Sequence, residues 1–252
     1  MVANWDGFLW LLLLLGPLLI FQRSLHRNIQ AVFLLLTKRA EISLALFSLL
    51  FFPGVLIHEV SHFIVARLLG VSTGRFSLLP KAMPNGKLQL GYVETAKTDI
   101  LRDALIGAAP LVTGGLLVAY AGLNRLGLEP VWIALRGLHG SEVWTALSQI
   151  TDQQDFWLWF YLTFTVSSTM LPSGADRRAW PSIAIVLAIL LALALVSGAG
   201  PWMAETLAPL FNAALQALDI VLGISVLFHL ALLPPIWLLR RLMEKLTGMQ
   251  VA

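Results

Sequence analysis

Two histidines and a glutamate lie close together in the stretch His58-Glu59-Val60-Ser61-His62. Residues four apart share one face of an α-helix, so the imidazoles of His58 and His62 can bind the same metal ion. Glu59 is turned about 100° from His58 around the helix axis, where its carboxylate can take a proton from a metal-bound water without being a ligand. The pattern therefore predicts a hydrolytic metal centre on a helix.

The sequence on both sides of this pattern is almost entirely apolar, from Ile42 to Ile57 before it and from Phe63 to Ala66 after it. Three ionisable groups in such a segment are costly to bury unless they are paired or bound to a metal. We therefore expect a functional site here, in preference to two helix-packed histidines without a metal.

The composition is that of an integral membrane protein. Of 252 residues, 58% are hydrophobic and 12% are charged, and the mean hydropathy is +0.81. A soluble domain carries about twice that share of charged residues. The chain has no cysteine, so a metal has to be held by His, Asp or Glu. The net charge of +3 is spread along the chain, and we expect no nucleic-acid partner.

Hydropathy along the chain predicts about six transmembrane helices, at Phe8–Phe21, Ile42–Leu69, Ile100–Leu123, Phe156–Leu171, Pro181–Gly198 and Ile220–Leu239. Two further stretches, Arg23–Glu41 and Val131–Ile150, are expected to lie in the membrane interface. The segment Gly74–Thr95 differs, because two strand-like runs flank the turn signal Pro84-Asn85-Gly86. The predicted fold is an all-α polytopic membrane protein, a single membrane domain over residues 1–252, with a small β-hairpin insertion after the second helix.

The distribution of basic residues indicates how the chain is oriented in the membrane. With six helices and a cytoplasmic N-terminus, eleven Lys and Arg residues fall at the inner ends of helices and six at the outer ends. The positive-inside rule then favours a cytoplasmic N-terminus, although the basic first loop argues the other way. We expect a multi-pass protein of a prokaryotic cell membrane.

A catalytic zinc takes three protein ligands and leaves one position for water, so the pattern lacks one ligand. The second and fourth helices are expected to run in the same direction, with the histidines in the last half of the second. Acids and histidines near the matching helix ends are Glu94, Asp99, Asp103, Asp176 and His229. Asp176 follows the fourth helix in a turn that can fold back, or it is an exposed acid paired with Arg177 or Arg178. His229, alone on an apolar face, is more typical of a hydrogen-bonded core residue.

Taken together, these residues resemble the site-2 protease family of intramembrane zinc metalloproteases, over the range from Ile42 to Arg178. His58-Glu59-Val60-Ser61-His62 is similar to that family's metal motif. Ala109-Pro110-Leu111-Val112-Thr113 resembles its Gly-Pro-x-x-Asn motif, with alanine and threonine at the first and last positions. Leu171-Pro172 followed by Asp176 resembles its Leu-Pro…Asp-Gly motif, with Arg177 in place of glycine and one residue fewer between.

The resemblance implies a catalytic core over residues 42–178, in which Glu59 activates the water. The implied Zn²⁺ ligands are His58, His62 and Asp176. The family asparagine helps to hold the substrate, so the resemblance assigns substrate binding to Pro110 and Thr113. The predicted hairpin adds an edge strand on which an extended peptide can pair, and Leu88 and Leu90 are the expected contact positions.

The predicted activity is therefore hydrolysis of a peptide bond in a transmembrane protein substrate, within or beside the lipid bilayer. One alternative is a non-catalytic relative that binds membrane helices as a scaffold. The altered second and third motifs leave this alternative open, and the intact Glu59 argues against it. Another is a transporter that uses His58 and Glu59 for protons or metal ions, although no repeated halves or paired broken helices are evident. The oligomeric state is left open by the sequence.

Overall fold

The computed structural model describes residues 6–78, 80–82, 88–137, 140–150 and 153–251. Within these residues the chain forms eight helices, numbered here in chain order: α1 Asp6–Thr37, α2 Ala40–Leu68, α3 Ile100–Arg125, α4 Glu129–Arg136, α5 Gly140–Ile150, α6 Phe156–Thr169, α7 Trp180–Val196 and α8 Gly200–Thr247. The last part of α3 and an early part of α8 are π-helical, at Ala121–Arg125 and Met203–Leu207.

Four helices, α1, α2, α3 and α8, are long and apolar enough to cross a membrane. The protein is therefore a multi-pass membrane protein by length and composition, with four such helices in the described chain against about six predicted. The other two predicted spans, α6 and α7, have 14 and 17 residues, fewer than the ~20 that usually cross the hydrocarbon core.

The first two helices differ from the prediction at one point. Residues Arg23–Glu41 do not form a separate interfacial segment, because most of them continue α1 without a break. Leu25, Ile29, Val32 and Leu35 are buried along this half of α1, and spacings of three and four residues place them on one helical face. Arg23 and Arg27 lie before and between the first of these apolar positions, so hydropathy alone ended the predicted helix too early.

A β-hairpin follows α2, as predicted. Its four strands are β1 Thr73–Ser77, β2 Lys81–Ala82, β3 Leu88–Gln89 and β4 Tyr92–Thr95. β1 pairs with β4 and β2 with β3, both antiparallel. The predicted turn Pro84-Asn85-Gly86 lies outside the described residues.

The predicted second strand, Lys87–Val93, is wrong at its centre. Leu90 and Gly91 separate the two ladders. Leu90 is partly buried and packs against the core of the helical bundle. Gly91 lies so close to α2 that an added Cβ would come 3.0 Å from Cγ1 of Val55. Contact with α2 thus interrupts the pairing of the strands.

Helices α2 and α6 run in the same direction, as predicted for the second and fourth helices. The Tyr161 hydroxyl donates to the Leu50 carbonyl at 2.9 Å, and one turn further on Gly54 lies against the Thr165 carbonyl. Because glycine has no Cβ, the two backbones can approach this closely. α3 runs antiparallel to α6, with Gly114 against Met170.

Helices α1 and α8 run parallel to each other. At one end Asn212 and Gln216 of α8 donate to the Asp6 carboxylate of α1. Towards the other end Arg240 donates to the Asn28 side chain. Because of this direction, α8 ends at one end of the helical bundle, whereas the sixth predicted helix was expected to end at the other.

The orientation count changes as a result. Moving the three basic residues Arg240, Arg241 and Lys245 to the opposite end turns eleven and six into eight and nine. The positive-inside rule then favours neither orientation, and the cytoplasmic N-terminus stays a prediction.

Candidate metal centre

Three side chains from α2 and from the turn after α6 converge on one point. The two Nε2 atoms of His58 and His62 are 3.2 Å apart. Asp176 Oδ1 lies 3.1 Å from His62 Nε2, and its Oδ2 lies 3.7 Å from His58 Nε2. Ligand atoms bound to one tetrahedral zinc at about 2.0–2.2 Å lie about 3.3–3.5 Å from one another. With one ligand atom taken from each side chain, the three atoms lie within 4.8 Å of one another, so the three side chains are grouped as a shared metal site requires.

The outer nitrogens of both imidazoles are hydrogen-bonded to backbone carbonyls. His58 Nδ1 donates to the Thr169 carbonyl at 2.7 Å, and His62 Nδ1 donates to the Ile106 carbonyl at 2.8 Å. A carbonyl oxygen only accepts, so each Nδ1 carries the proton and each Nε2 presents a lone pair. Two lone pairs and a carboxylate then face one another, which requires a positive charge between them, either a shared proton or a metal ion. Histidine ligands of metals show this same arrangement.

The Thr169 carbonyl is available because α6 ends there. In a longer helix it would accept from the Ser173 N–H, but Pro172 interrupts the helix and the Ser173 N–H donates to Asp176 Oδ2 at 2.6 Å. The carboxyl end of α6 also carries the negative end of the helix dipole. His58 is thus oriented by a helix end whose field favours a bound cation.

The turn that carries Asp176 is fastened to α3. Arg178 donates to both carboxylate oxygens of Asp103, at 2.8 and 2.5 Å. Gly107 of α3 lies directly against the Asp176 carbonyl, where any side chain would collide. Arg178 therefore pairs with Asp103 and not with Asp176, and the alternative of Asp176 as an exposed acid paired with this arginine does not fit the structure.

The pKa of the Asp176 carboxyl is lowered in this environment. Burial raises this pKa, but hydrogen bonds from the Ser173 N–H and from His58 and His62, when a proton lies on their Nε2 atoms, lower it by more, so that it is held well below its usual range. An ionised carboxylate is the form that binds a metal.

The other candidate ligands are engaged elsewhere. Glu94 accepts from the Arg75 N–H, and Asp99 caps α3 by accepting from the Arg102 N–H. His229 is fully buried; it donates through Nδ1 to the Ser225 carbonyl and accepts from the Ser168 hydroxyl. The prediction that His229 is a hydrogen-bonded core residue is confirmed. Among the described residues no second group of three His, Asp or Glu side chains has its ligand atoms this close together.

Glu59 lies beside the three converging side chains and is not one of them. It is 7% exposed, and the hairpin covers it: an added Cβ on Gly91 would come 2.9 Å from Glu59 Cγ. Apart from the glycine itself, no pattern in the sequence indicates this contact. The hairpin backbone therefore packs against the side chain of Glu59, the residue that is expected to act on water.

The predicted substrate-binding residues lie on α3 and on the hairpin. Pro110 is buried in α3, and Thr113 is exposed on the same helix, about two turns or roughly 10 Å along the axis from Ile106. Leu90 packs against the core. Leu88 belongs to β3, opposite Ala82.

Comparison with known protein families, with curated proteins and with solved structures finds no match for this chain. Function has to be inferred from the geometry of the site.

Proposed function

We propose that this chain is an intramembrane zinc metalloprotease, similar to the site-2 proteases, that hydrolyses peptide bonds in transmembrane protein segments. The observation that carries the proposal is the convergence of His58, His62 and Asp176 at 3.1–3.7 Å, with both histidine tautomers set by backbone carbonyls. A glutamate adjacent to the first ligand and outside the ligand set supplies the second requirement of hydrolysis.

Each residue has a distinct part in this activity. His58 and His62 are neutral ligands held in one orientation by Thr169 and Ile106, and Asp176 adds a negative charge. Bound zinc would lower the pKa of a water and polarise the scissile carbonyl. Glu59 is placed to take the proton of the water and to pass it to the leaving amine.

The hairpin supports a role in presenting the substrate. A transmembrane helix hides its carbonyls in its own hydrogen bonds, so the scissile segment has to become extended. The β1–β4 ladder has two strands among the described residues, so an extended peptide could be added beside β4 as a further strand. Because Leu90 faces the core, pairing is expected along β4 and not at Leu90.

The test compares Glu59→Gln with His58→Ala in purified protein. Glu59→Gln keeps the size of the side chain but cannot accept the proton, so we expect normal zinc content and cleavage of a transmembrane substrate reduced by a factor of about 10² or more. His58→Ala should lose both zinc and cleavage. Full cleavage by Glu59→Gln would exclude the proteolytic mechanism.

A scaffold that binds membrane helices is the second candidate, because Thr113 and Arg177 replace the asparagine and glycine of the motifs that this chain resembles. A scaffold needs no general base. It would capture the same substrate in wild type and in Glu59→Gln without cleavage in either.

A further inference from the structure

We propose that Pro110 is a positioning residue for the metal ligand His62, because it leaves the Ile106 carbonyl free to accept the hydrogen bond that orients this imidazole. This inference rests on the metal centre proposed above. The resemblance to site-2 proteases assigned Pro110 to substrate binding, which its burial does not support.

The argument begins with the covalent chemistry of proline. In an α-helix each carbonyl accepts from the N–H four residues later, so the helical partner of Ile106 is residue 110. Proline has no N–H, and α3 continues through Pro110 as a helix from Ile100 to Tyr120. The Ile106 carbonyl therefore has no donor within its own helix.

His62 supplies the missing donor. Its Nδ1–H reaches the Ile106 carbonyl at 2.8 Å across the α2–α3 contact. Both residues are buried, at 7% exposure for His62 and 5% for Ile106, so water does not compete for this carbonyl. An unpaired carbonyl in an apolar bundle is unfavourable, and the bond to His62 satisfies it.

Both imidazoles are oriented by a backbone carbonyl that has no N–H partner within its own helix. His58 uses the carbonyl that α6 leaves unpaired at its end, and His62 uses the carbonyl that Pro110 leaves unpaired within α3. In each case the acceptor is fixed in direction by a helix, and its lone pairs are not shared with a helical N–H. A proline in the interior of a helix ordinarily destabilises the helix. At position 110 this loss of helix stability accompanies a fixed orientation of the ligand His62.

The experiment measures Co²⁺ affinity and the visible spectrum of the Co²⁺ complex for Pro110→Ala, together with the thermal midpoint of the metal-free protein in detergent. Restoring the N–H at position 110 gives Ile106 a helical partner that competes with His62. We expect Co²⁺ affinity to fall by about tenfold, as for other residues that orient a histidine ligand, with a changed spectrum. The thermal midpoint should not fall, because a helical hydrogen bond is gained.

Two further variants keep the result interpretable. Pro110→Val restores the same N–H with less loss of volume and should weaken Co²⁺ binding in the same way. Pro17→Ala is the matched control, since Pro17 also lies inside an apolar helix, α1, and it should leave Co²⁺ affinity and spectrum unchanged.

Each outcome has one reading. Unchanged Co²⁺ affinity and spectrum in both Pro110 variants would overturn the positioning role. A joint fall of affinity and thermal midpoint in both would make Pro110 a packing residue and overturn it as well. Failure of the wild-type protein to bind Co²⁺ or Zn²⁺ would instead refute the metal centre itself, which is a different result from a metal-binding wild type with unaffected variants.

Discussion

The protonated nitrogen of each histidine decides whether His58 and His62 can hold a metal. The spacing of the two residues placed both rings on one face of α2, and this part of the site was predicted from the sequence. The acceptors were not predicted, because Thr169 lies 111 residues and Ile106 lies 44 residues away in the chain, and both act through backbone atoms that any residue type possesses. Side-chain patterns carry no signal for such partners.

Asp176 was one of five candidates for the third ligand, and the structure brings only this one to the histidines. We expect Asp176→Ala to lose most of the roughly one zinc per chain that a three-ligand site holds, measured by metal analysis after purification. Glu94→Gln is the control, since Glu94 was also among the candidates by sequence and its carboxylate instead accepts from the Arg75 N–H. Full zinc retention in Asp176→Ala would contradict the assignment.

Among the helices and strands, the close contacts of α3 with its neighbours set the position of the third ligand. Gly107 and Gly114 of α3 lie where neighbouring parts of the chain approach this helix closely. The sequence did not show that Gly107 faces the Asp176 turn, because this depends on how α3 is rotated about its axis. Likewise the hairpin was predicted, but the break at Leu90 and Gly91 was not, because tertiary contact with α2 overrides strand propensity there.

Two glycines of α3, Gly107 and Gly115, give a matched pair of variants. A methyl group at Gly107 would collide with the Asp176 carbonyl, whereas at Gly115 it would meet Cγ1 of Val221 at an ordinary 3.7 Å. We expect Gly107→Ala to displace the Asp176 turn and to lower zinc affinity by about tenfold or more, measured by competition with a chelator. Gly115→Ala should bind zinc as wild type does; equal affinities in the two variants would argue against this placement of the turn.

The end of α6 is held from two other helices. Ser168 donates from its hydroxyl to His229 of α8 at 3.0 Å, and its carbonyl accepts from Gln22 of α1 at 2.6 Å. The next residue, Thr169, orients His58. We expect Ser168→Ala to weaken zinc binding by a factor of about three to ten, in the same competition assay. Ser167→Ala is the control, since the Ser167 hydroxyl donates to the Phe164 carbonyl of its own helix; a similar loss in this variant would show that the effect is not specific.

For the molecule as a whole, the composition predicted a multi-pass membrane protein and the hydropathy pattern located its long helices. The pairing of α1 with α8 could not be predicted from the sequence, because Asp6 and Asn212 are 206 residues apart in the chain. A short stretch of lower hydropathy lies within α8. For this reason the hydropathy pattern predicted a helix only over Ile220–Leu239. With α8 continuous and parallel to α1, the C-terminal end of the chain moves to the opposite end of the bundle.

This arrangement predicts which chain ends share a side of the membrane. Ser72, just after α2, lies at the same end of the bundle as the start of α1, because α1 and α2 run antiparallel through the short link at Lys38–Arg39. Gln250 follows α8 and lies at the end where Arg39 lies. The six-helix prediction instead put the ends of the second and sixth helices on one side.

The chain has no cysteine, so Ser72→Cys, Arg39→Cys and Gln250→Cys each introduce a single thiol at an exposed position. In sealed vesicles of one orientation, we expect an impermeant thiol reagent to label Arg39→Cys and Gln250→Cys together and Ser72→Cys only from the other side. Labelling of Gln250→Cys together with Ser72→Cys would contradict the parallel pairing of α1 and α8 and restore the six-helix topology.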